Sequence, residues 1–536
     1  MVLVDKIVKL PWFLPATFIF VLSLFIPSIF DIDDLVINMI LKGTAIASEP
    51  LPYLYYCNYY FGKFLSSLYA TFPDIAWYYY WLAGLHYCSD LVLGYFLFRP
   101  KKILPVLGYI TYLTTISLNV YLTISYTAVI GISSAAIAVA YFNFVHVKSN
   151  WRVGCVLFAL LFVASFTRFE PAFIGLAIFA LPTLYLRKGD FAELSKGNFS
   201  CLKLWLPITL IVVVIPLSTT LASSEKFKES GWTEFREVNK LKQQINDYGR
   251  VSDDVSLDEK LAAVDLTRQD LNIFKNWILF DKGISNSQTL NEIVSEWEAP
   301  SLNKVLNVSF QFFNSLHFLV VALFLLIIHI GLSKHERVLS YICLASAILV
   351  AMIFVLYFQR ATGFVVMAFY ASVLALYSMV FAHHASGGAK NKWALSVTLF
   401  SLLFIPYYWA KFTLLKQEGV VYSSNLFQSL PREQLYVIHS QNLLQVDPRN
   451  NLKEFEGLEI MLLGTPSLAP FTDMRLSELG FNNYYDMLLH PNTRFIGEEE
   501  RLMLLKRFIE GRAGVSTKAV KVDAHKYILV SSSEPN

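Results

Sequence analysis

PWFLPATFIFVLSLFIPSIFDIDDLVINMILKG, Pro11 to Gly43, decides how the rest of the chain is read. Its first twenty residues carry no charge. At about 1.5 Å per residue they are long enough to cross a hydrocarbon core of roughly 30 Å. No small-residue cleavage pattern is present, so the stretch reads as a retained span rather than a removed signal peptide. Three carboxylates, Asp31, Asp33 and Asp34, then arrive together. The remainder, LVINMILKG, reads as a short amphipathic helix lying in the interface, with Gly43 suited to stop it.

Composition extends this reading to the whole chain. Of 536 residues, 55% are hydrophobic, 15% aromatic and only 16% charged, which marks a polytopic membrane protein. A net charge of +3, spread in short clusters between apolar runs, excludes a nucleic-acid partner. Further candidate spans cover 76–98, 103–118, 128–146, 153–168, 171–186, 204–222, 311–332, 338–358, 361–382 and 394–409, about eleven in all. Basic residues between them (Arg99, Lys101 and Lys102; Lys148 and Arg152; Arg187, Lys188, Lys196 and Lys203; Lys334 and Arg337; Lys390 and Lys392) fall on one side. By the positive-inside rule that side is the cytoplasm, with the N-terminus, and the odd span count puts the C-terminus outside.

The expected fold is therefore mainly α: a polytopic bundle over 1–409 and an extracytoplasmic C-terminal α/β domain over 410–536. Three segments with mass lie outside: 31–75, 223–308 and 410–536. The first holds a second surface helix, CNYYFGKFLSSLYATFP, closed by Pro73 and carrying Lys63 as a candidate substrate contact. The second reads as helical, with Trp232, Phe235, Phe274 and Trp277 as anchors. In the third, LYVIH (435–439), LEIMLLG (458–464) and KYILVSS (526–532) read as strands around a helix over 498–511. Cytoplasmic loops are short, with no P-loop and no dinucleotide fingerprint, so any chemistry faces outward. The five cysteines are scattered and imply neither a metal site nor a disulfide framework.

Each candidate residue has a structural and a functional reading. Asp31 can cap the helix that follows, and Asp34 then stands at the capping-box position. Helical spacing puts 31 and 34 on one face and 33 on another. Alternatively one of the three is a general base at the membrane boundary, or two of them hold a divalent cation. In SFTRFEP, Arg168 and Glu170 meet the outer end of a span and either pair with each other or bind substrate. Arg360, in YFQRATG, has no neighbouring acid and suits a bidentate grip on a phosphate. Tyr121, Ser125, Tyr126 and Thr127 form a hydroxyl-rich turn that caps a span or binds a sugar. Asp90 lies within the second span, where it is functional or pairs with Arg99 or Lys101 by snorkelling. His86, His317 and His329 read as core or interfacial residues.

With these features the chain resembles the GT-C superfamily of integral membrane glycosyltransferases. The resemblance rests on many spans, acids in the first outer loop (DIDD), two interfacial helices there, short cytoplasmic loops and a soluble C-terminal region. NYYFGKFLSSLYATFPDIAWYYYW also looks like bacterial proteins of surface-polysaccharide assembly in the plasma (inner) membrane. The resemblance implies a polyprenyl-phosphate-linked sugar as donor, a glycan or lipid as acceptor, and inverting transfer. In it Asp33 or a neighbouring Asp is the base, and Arg360 or Arg168 stabilises the leaving phosphate. The site expected is one outward-opening cavity holding Asp33 or Asp34 and Arg360 within about 10 Å of each other. A polysaccharide polymerase or ligase is the alternative. A transporter ranks third, because midplane charges are few and outer mass is large.

Overall fold

A computed structural model describes residues 10–54, 56–146, 151–186, 214, 217–228, 232–251, 256–294, 301–313, 315–330, 332–359, 362–380, 388–415, 421–438, 446–523 and 526–531. The chain is mainly helical. Helix α1 (Leu14–Phe25) is short and apolar, and leads into a two-residue strand β1 (Ile29–Phe30) and α2 (Ile32–Lys42). Then come α3 (Tyr59–Thr71), α4 (Trp77–Phe98), α5 (Ile103–Leu122), the strand β2 (Thr123–Ile124) and α6 (Tyr126–His146). Helices α7 (Trp151–Thr167) and α8 (Ile174–Leu186) follow, the latter entered through a 3₁₀ turn at Glu170–Phe173.

Among the described residues, five helices are long and apolar enough to cross a membrane: Ile103–Leu122, Tyr126–Phe144, Glu336–Phe358, Gly363–Val380 and Trp393–Leu414. A sixth is added if Leu302–Phe313 and Leu316–Ile330, bent by 74°, form one broken span. Leu14–Phe25, Trp151–Thr167 and Glu170–Leu186 are shorter apolar helices at expected spans, and most of 204–222 lies outside the described residues. In Glu336–Phe358, Val338, Tyr341, Leu344, Ile348, Met352 and Leu356 are exposed at helical spacing. A face of that kind is stable only against lipid.

Helix α6 is the centre of the bundle and packs against α4, α7, α8 and Gly363–Val380. It is apolar all round, as a fully surrounded helix must be. Gly131 permits the closest of these contacts, since a Cβ there would stand 2.3 Å from the Ala368 Cβ. Within α4, Asp90 does not snorkel to Arg99 or Lys101. It is fully buried and accepts from Tyr112 Oη (2.5 Å), Ser117 Oγ (2.7 Å) and Tyr121 Oη (3.1 Å), with His86 Nε2 at 3.9 Å. The bundle supplies enough hydroxyls, with Ser117 at the end of a π turn (Leu113–Ser117) among them, to satisfy the carboxyl in place.

Residues 435–531 contribute a five-stranded sheet in the order β4-β3-β5-β7-β6. Its strands are β3 (Leu435–Ile438), β4 (Glu459–Leu462), β5 (Thr493–Ile496), β6 (Thr517–Asp523) and β7 (Lys526–Ser531). Strand β3 is parallel to both neighbours and buried along its length, which explains its unbroken apolar run. Among the hydrogen bonds that tie this region to distant parts of the chain are the following. Arg449 Nη1 donates to Leu24 O (2.7 Å), Lys42 Nζ to Asn451 O (2.6 Å), Ile460 N to Ala45 O (3.3 Å) and Leu279 N to Leu463 O (2.9 Å).

Candidate functional site

A cavity of about 890 Å³ opens where several helix ends meet the segments between spans. Helix termini supply Tyr126 and Thr127 at the start of α6, Arg168 just past α7, Glu170 and Pro171 before α8, Phe358 at the end of Glu336–Phe358 and Thr362 just before Gly363–Val380. Ile174, Ala177, Val350, Ile353, Phe354, Phe364 and Val365 form an apolar groove running down between the helices. The facing wall comes from Tyr56, Gln243, Asp247, Tyr248 and Trp277, with Gly464, Thr465 and Arg501 from the C-terminal region. Asp31, Ile32, Asp33 and Val36 complete it.

Asp31 and Asp33 are thus together in the cavity, and Asp34 is not among its lining residues. This reverses the expected faces. Asp31 stands at the N-cap of α2 in extended conformation, before helical spacing begins, and its side chain makes no capping bond. The chain reaches that point through β1, which pairs in parallel with β2, and Asp31 N donates to Ile124 O at 3.3 Å. This pairing fixes the acids against the start of α6.

Asp34 points the other way and is fully buried. Its Oδ1 accepts from Tyr78 Oη at 2.6 Å and from Tyr126 N at 2.9 Å, while Oδ2 has no hydrogen-bond partner among the described residues. The capping-box role is therefore not taken up. Instead, the first N–H of α6 is capped by a carboxyl from another helix. Burial pushes the Asp34 pKa well above the usual carboxylate range, and the charge of Asp31 adds to the effect. One turn on, Asn38 Oδ1 accepts from Tyr69 Oη at 2.7 Å, and Tyr69 Oη in turn accepts from Tyr78 N at 3.1 Å. Helix α2 is consequently buried from Asp34 to Leu41 rather than lying half-exposed in an interface. Its expected end is in place: Gly43 adopts φ 66° and donates to Met39 O and Ile40 O.

Arg168 lies between two tyrosine rings, its guanidinium 5.5 Å from the Tyr56 centroid and 5.0 Å from that of Tyr126. It donates to Thr127 Oγ1 (2.9 Å) and Glu170 Oε2 (3.1 Å). The arginine is one-fifth exposed and the glutamate 71% exposed, so the pair is held on the arginine's side. Burial raises the pKa of the Tyr56 hydroxyl, and Asp33 raises it further. Asp33, Tyr56, Tyr126 and Arg168 thus form one electrostatic neighbourhood.

Lys63 is exposed on α3 and does not line the cavity. Arg360 falls outside the described residues, so its distance to the acids is not part of this geometry. Among the described residues no three His, Cys, Asp or Glu side chains form a metal-holding group.

Several lining residues carried no local signal. Gln243 and Asp247 belong to a π turn (Gln243–Asp247) following α9 (Thr233–Lys242), and Tyr248 N closes it on Gln243 O at 3.0 Å. Such turns gather at functional sites. Lys242 is fully buried behind this wall, with Nζ 2.6 Å from Thr465 Oγ1, 3.4 Å from Tyr56 Oη and 4.7 Å from the Trp277 ring centroid. Of the expected anchors, Trp232 stacks on Tyr53 and Phe471, joining the first loop to the C-terminal region.

No family model and no curated protein matches this chain in sequence. In fold it is similar to ArnT from Cupriavidus metallidurans in the apo state, with a TM-score of 0.50 at 11% identity over 96% of each chain. A second ArnT structure from the same organism, bound to undecaprenyl phosphate, aligns at TM-score 0.39 and 13% identity, covering 97% of this chain and 98% of that one. The first likeness is one of fold, and it runs nearly the whole length of both chains.

Proposed function

We propose that the chain is a membrane glycosyltransferase that moves a sugar from a polyprenyl-phosphate carrier to an acceptor hydroxyl on the outer side of a bacterial inner membrane. One observation carries the reading: a single cavity joins carboxylates, Asp31 and Asp33 among them, and Arg168 to an apolar groove between helices. An amphiphilic donor needs that combination, with its prenyl chain in the groove and its phosphate at the helix ends. In this reading 1–409 is the catalytic membrane domain of about eleven spans. The C-terminal region, 410–536, is an outer α/β domain closing over the site.

Asp33 takes the proton from the acceptor hydroxyl, with Asp31 beside it as the second carboxylate. The freed oxygen attacks the anomeric carbon as the bond from that carbon to the phosphate oxygen breaks. The polyprenyl phosphate departs with the electron pair, and the product has inverted configuration. Arg168, held in place by Thr127 and Glu170, offsets the charge that develops on the leaving phosphate. Tyr126 confines the guanidinium from one side.

The test uses the full-length protein in nanodiscs, a panel of undecaprenyl-phosphate-linked hexoses as donors and envelope extract as acceptor. Asp33→Asn is expected to lower transfer by roughly 10²- to 10⁴-fold while retaining binding of undecaprenyl phosphate. Full transfer by both Asp33→Asn and Asp31→Asn would overturn the assignment.

A further inference from the structure

The two walls of the cavity differ in kind. The groove side is a continuous apolar surface from Ile174 and Ala177 to Val350, Ile353 and Val365. The facing wall holds Gln243, Asp247, Tyr248, Trp277 and Arg501, all half-buried, together with the Thr465 hydroxyl. Its apolar members Ile438 and Leu462 end β3 and β4 with buried side chains, and among the described residues the lining carries one apolar groove. A reaction between two lipids needs two apolar paths. A reaction between a lipid-linked sugar and a water-borne glycan needs one.

The backbone at this wall is also unusual. Trp277 adopts φ 64°, a left-handed conformation that a bulky residue keeps only when its surroundings over-determine it. Here they do. Trp277 N donates to Phe274 O (3.0 Å), Leu279 N two residues on is bound to Leu463 O (2.9 Å), and Lys242 stands over one face of the indole. The indole is thereby fixed at the cavity edge. The π turn adds an amide and a carboxylate within one turn, Gln243 and Asp247, to the same cavity lining. A flat aromatic surface with an adjacent carboxylate and amide suits a pyranose: the ring's C–H face stacks on the indole, and neighbouring hydroxyls donate to the carboxylate.

We infer that the wall formed by Trp277, Gln243 and Asp247 is an acceptor subsite for a saccharide, so that the acceptor is a glycan rather than a lipid. Lys242 acts there as a positioning residue, tying Thr465, Tyr56 and Trp277 from three segments of the chain. The inference rests on the transferase reading and adds the acceptor class to it.

Saturation-transfer NMR on the full chain tests it, in nanodiscs loaded with undecaprenyl phosphate to fill the groove. The probes are glucose, galactose, mannose, N-acetylglucosamine and their β-linked disaccharides. At least one is expected to bind. Trp277→Leu should weaken it roughly two- to tenfold, the worth of one stacked aromatic face, with Trp277→Phe restoring most of the loss. Asp247→Asn should weaken it at least about tenfold. Binding of undecaprenyl phosphate should be unchanged in all three variants. No saccharide binding, or binding indifferent to Trp277→Leu and Asp247→Asn, overturns the acceptor subsite. Failure of the wild type to bind undecaprenyl phosphate would instead overturn the transferase reading beneath it.

Discussion

Asp34 is the acid whose replacement separates a base from a scaffold. Its Oδ1 accepts from two buried donors, Tyr78 Oη and Tyr126 N, and Asp34 does not line the cavity. Asp34→Ala leaves both donors unpaired, at about 1–3 kcal/mol each, or roughly 2–6 kcal/mol together. It also frees the start of α6, which carries Tyr126 and Thr127 into the site. Asp34→Asn keeps a neutral acceptor of the same shape. The folded-state pKa of Asp34 is raised, so the folded protein binds a proton that the unfolded chain releases near the ordinary carboxylate value. Stability from this group is therefore fully present below that value and falls as pH rises toward the raised one, at up to about 1.4 kcal/mol per pH unit. Thermal unfolding in detergent across pH 4–8 should show that slope in the wild type and a shallower one in Asp34→Asn. Transfer activity should survive in Asp34→Asn within about threefold and collapse in Asp34→Ala, because only the second removes the acceptor. Loss of transfer in Asp34→Asn with an intact fold would refute this reasoning and make Asp34 the base.

Two further outcomes follow from the same geometry. Arg168→Lys keeps the charge but loses the planar stack between Tyr56 and Tyr126 and the second donor of the fork, so turnover should fall at least tenfold, about 1.4 kcal/mol, in a single-turnover release assay for polyprenyl phosphate. Gly43→Ala is forced into φ 66° with its Cβ 2.2 Å from the Glu49 carbonyl carbon, and should cost more than the roughly 1–2 kcal/mol of the left-handed conformation alone, read as a lowered unfolding temperature.

What the sequence made legible was local. The apolar run before Asp31, the length of α2, its stop at Gly43 and the Arg168–Glu170 pair all follow from neighbours a few positions apart. The division of the three acids does not. It depends on β1 pairing with β2, and on Tyr126 lying 92 positions from Asp34 and Tyr78 lying 44. Helical spacing alone put Asp31 with Asp34, because it extended the helix one residue too far back. The polar wall was hidden for the same reason. Gln243 and Asp247 look like any exposed loop residues until a π turn and the Lys242–Thr465 contact bring them to the cavity. Trp277 did stand out, but as an anchor, since nothing in its neighbours announces a left-handed backbone.

Crowding three carboxylates into four positions would be self-defeating if all were ionised side by side. The structure resolves the conflict by environment. Asp34 is sealed among Tyr78, Tyr126 and the body of α2, where charge is disfavoured and the neutral acid serves as a cap. Asp31 and Asp33 line the cavity instead, as does Arg168, whose guanidinium lies near the rings of Tyr56 and Tyr126. The β1–β2 pairing that carries the acids to α6 thus fixes which carboxyl is buried, and so which two line the cavity.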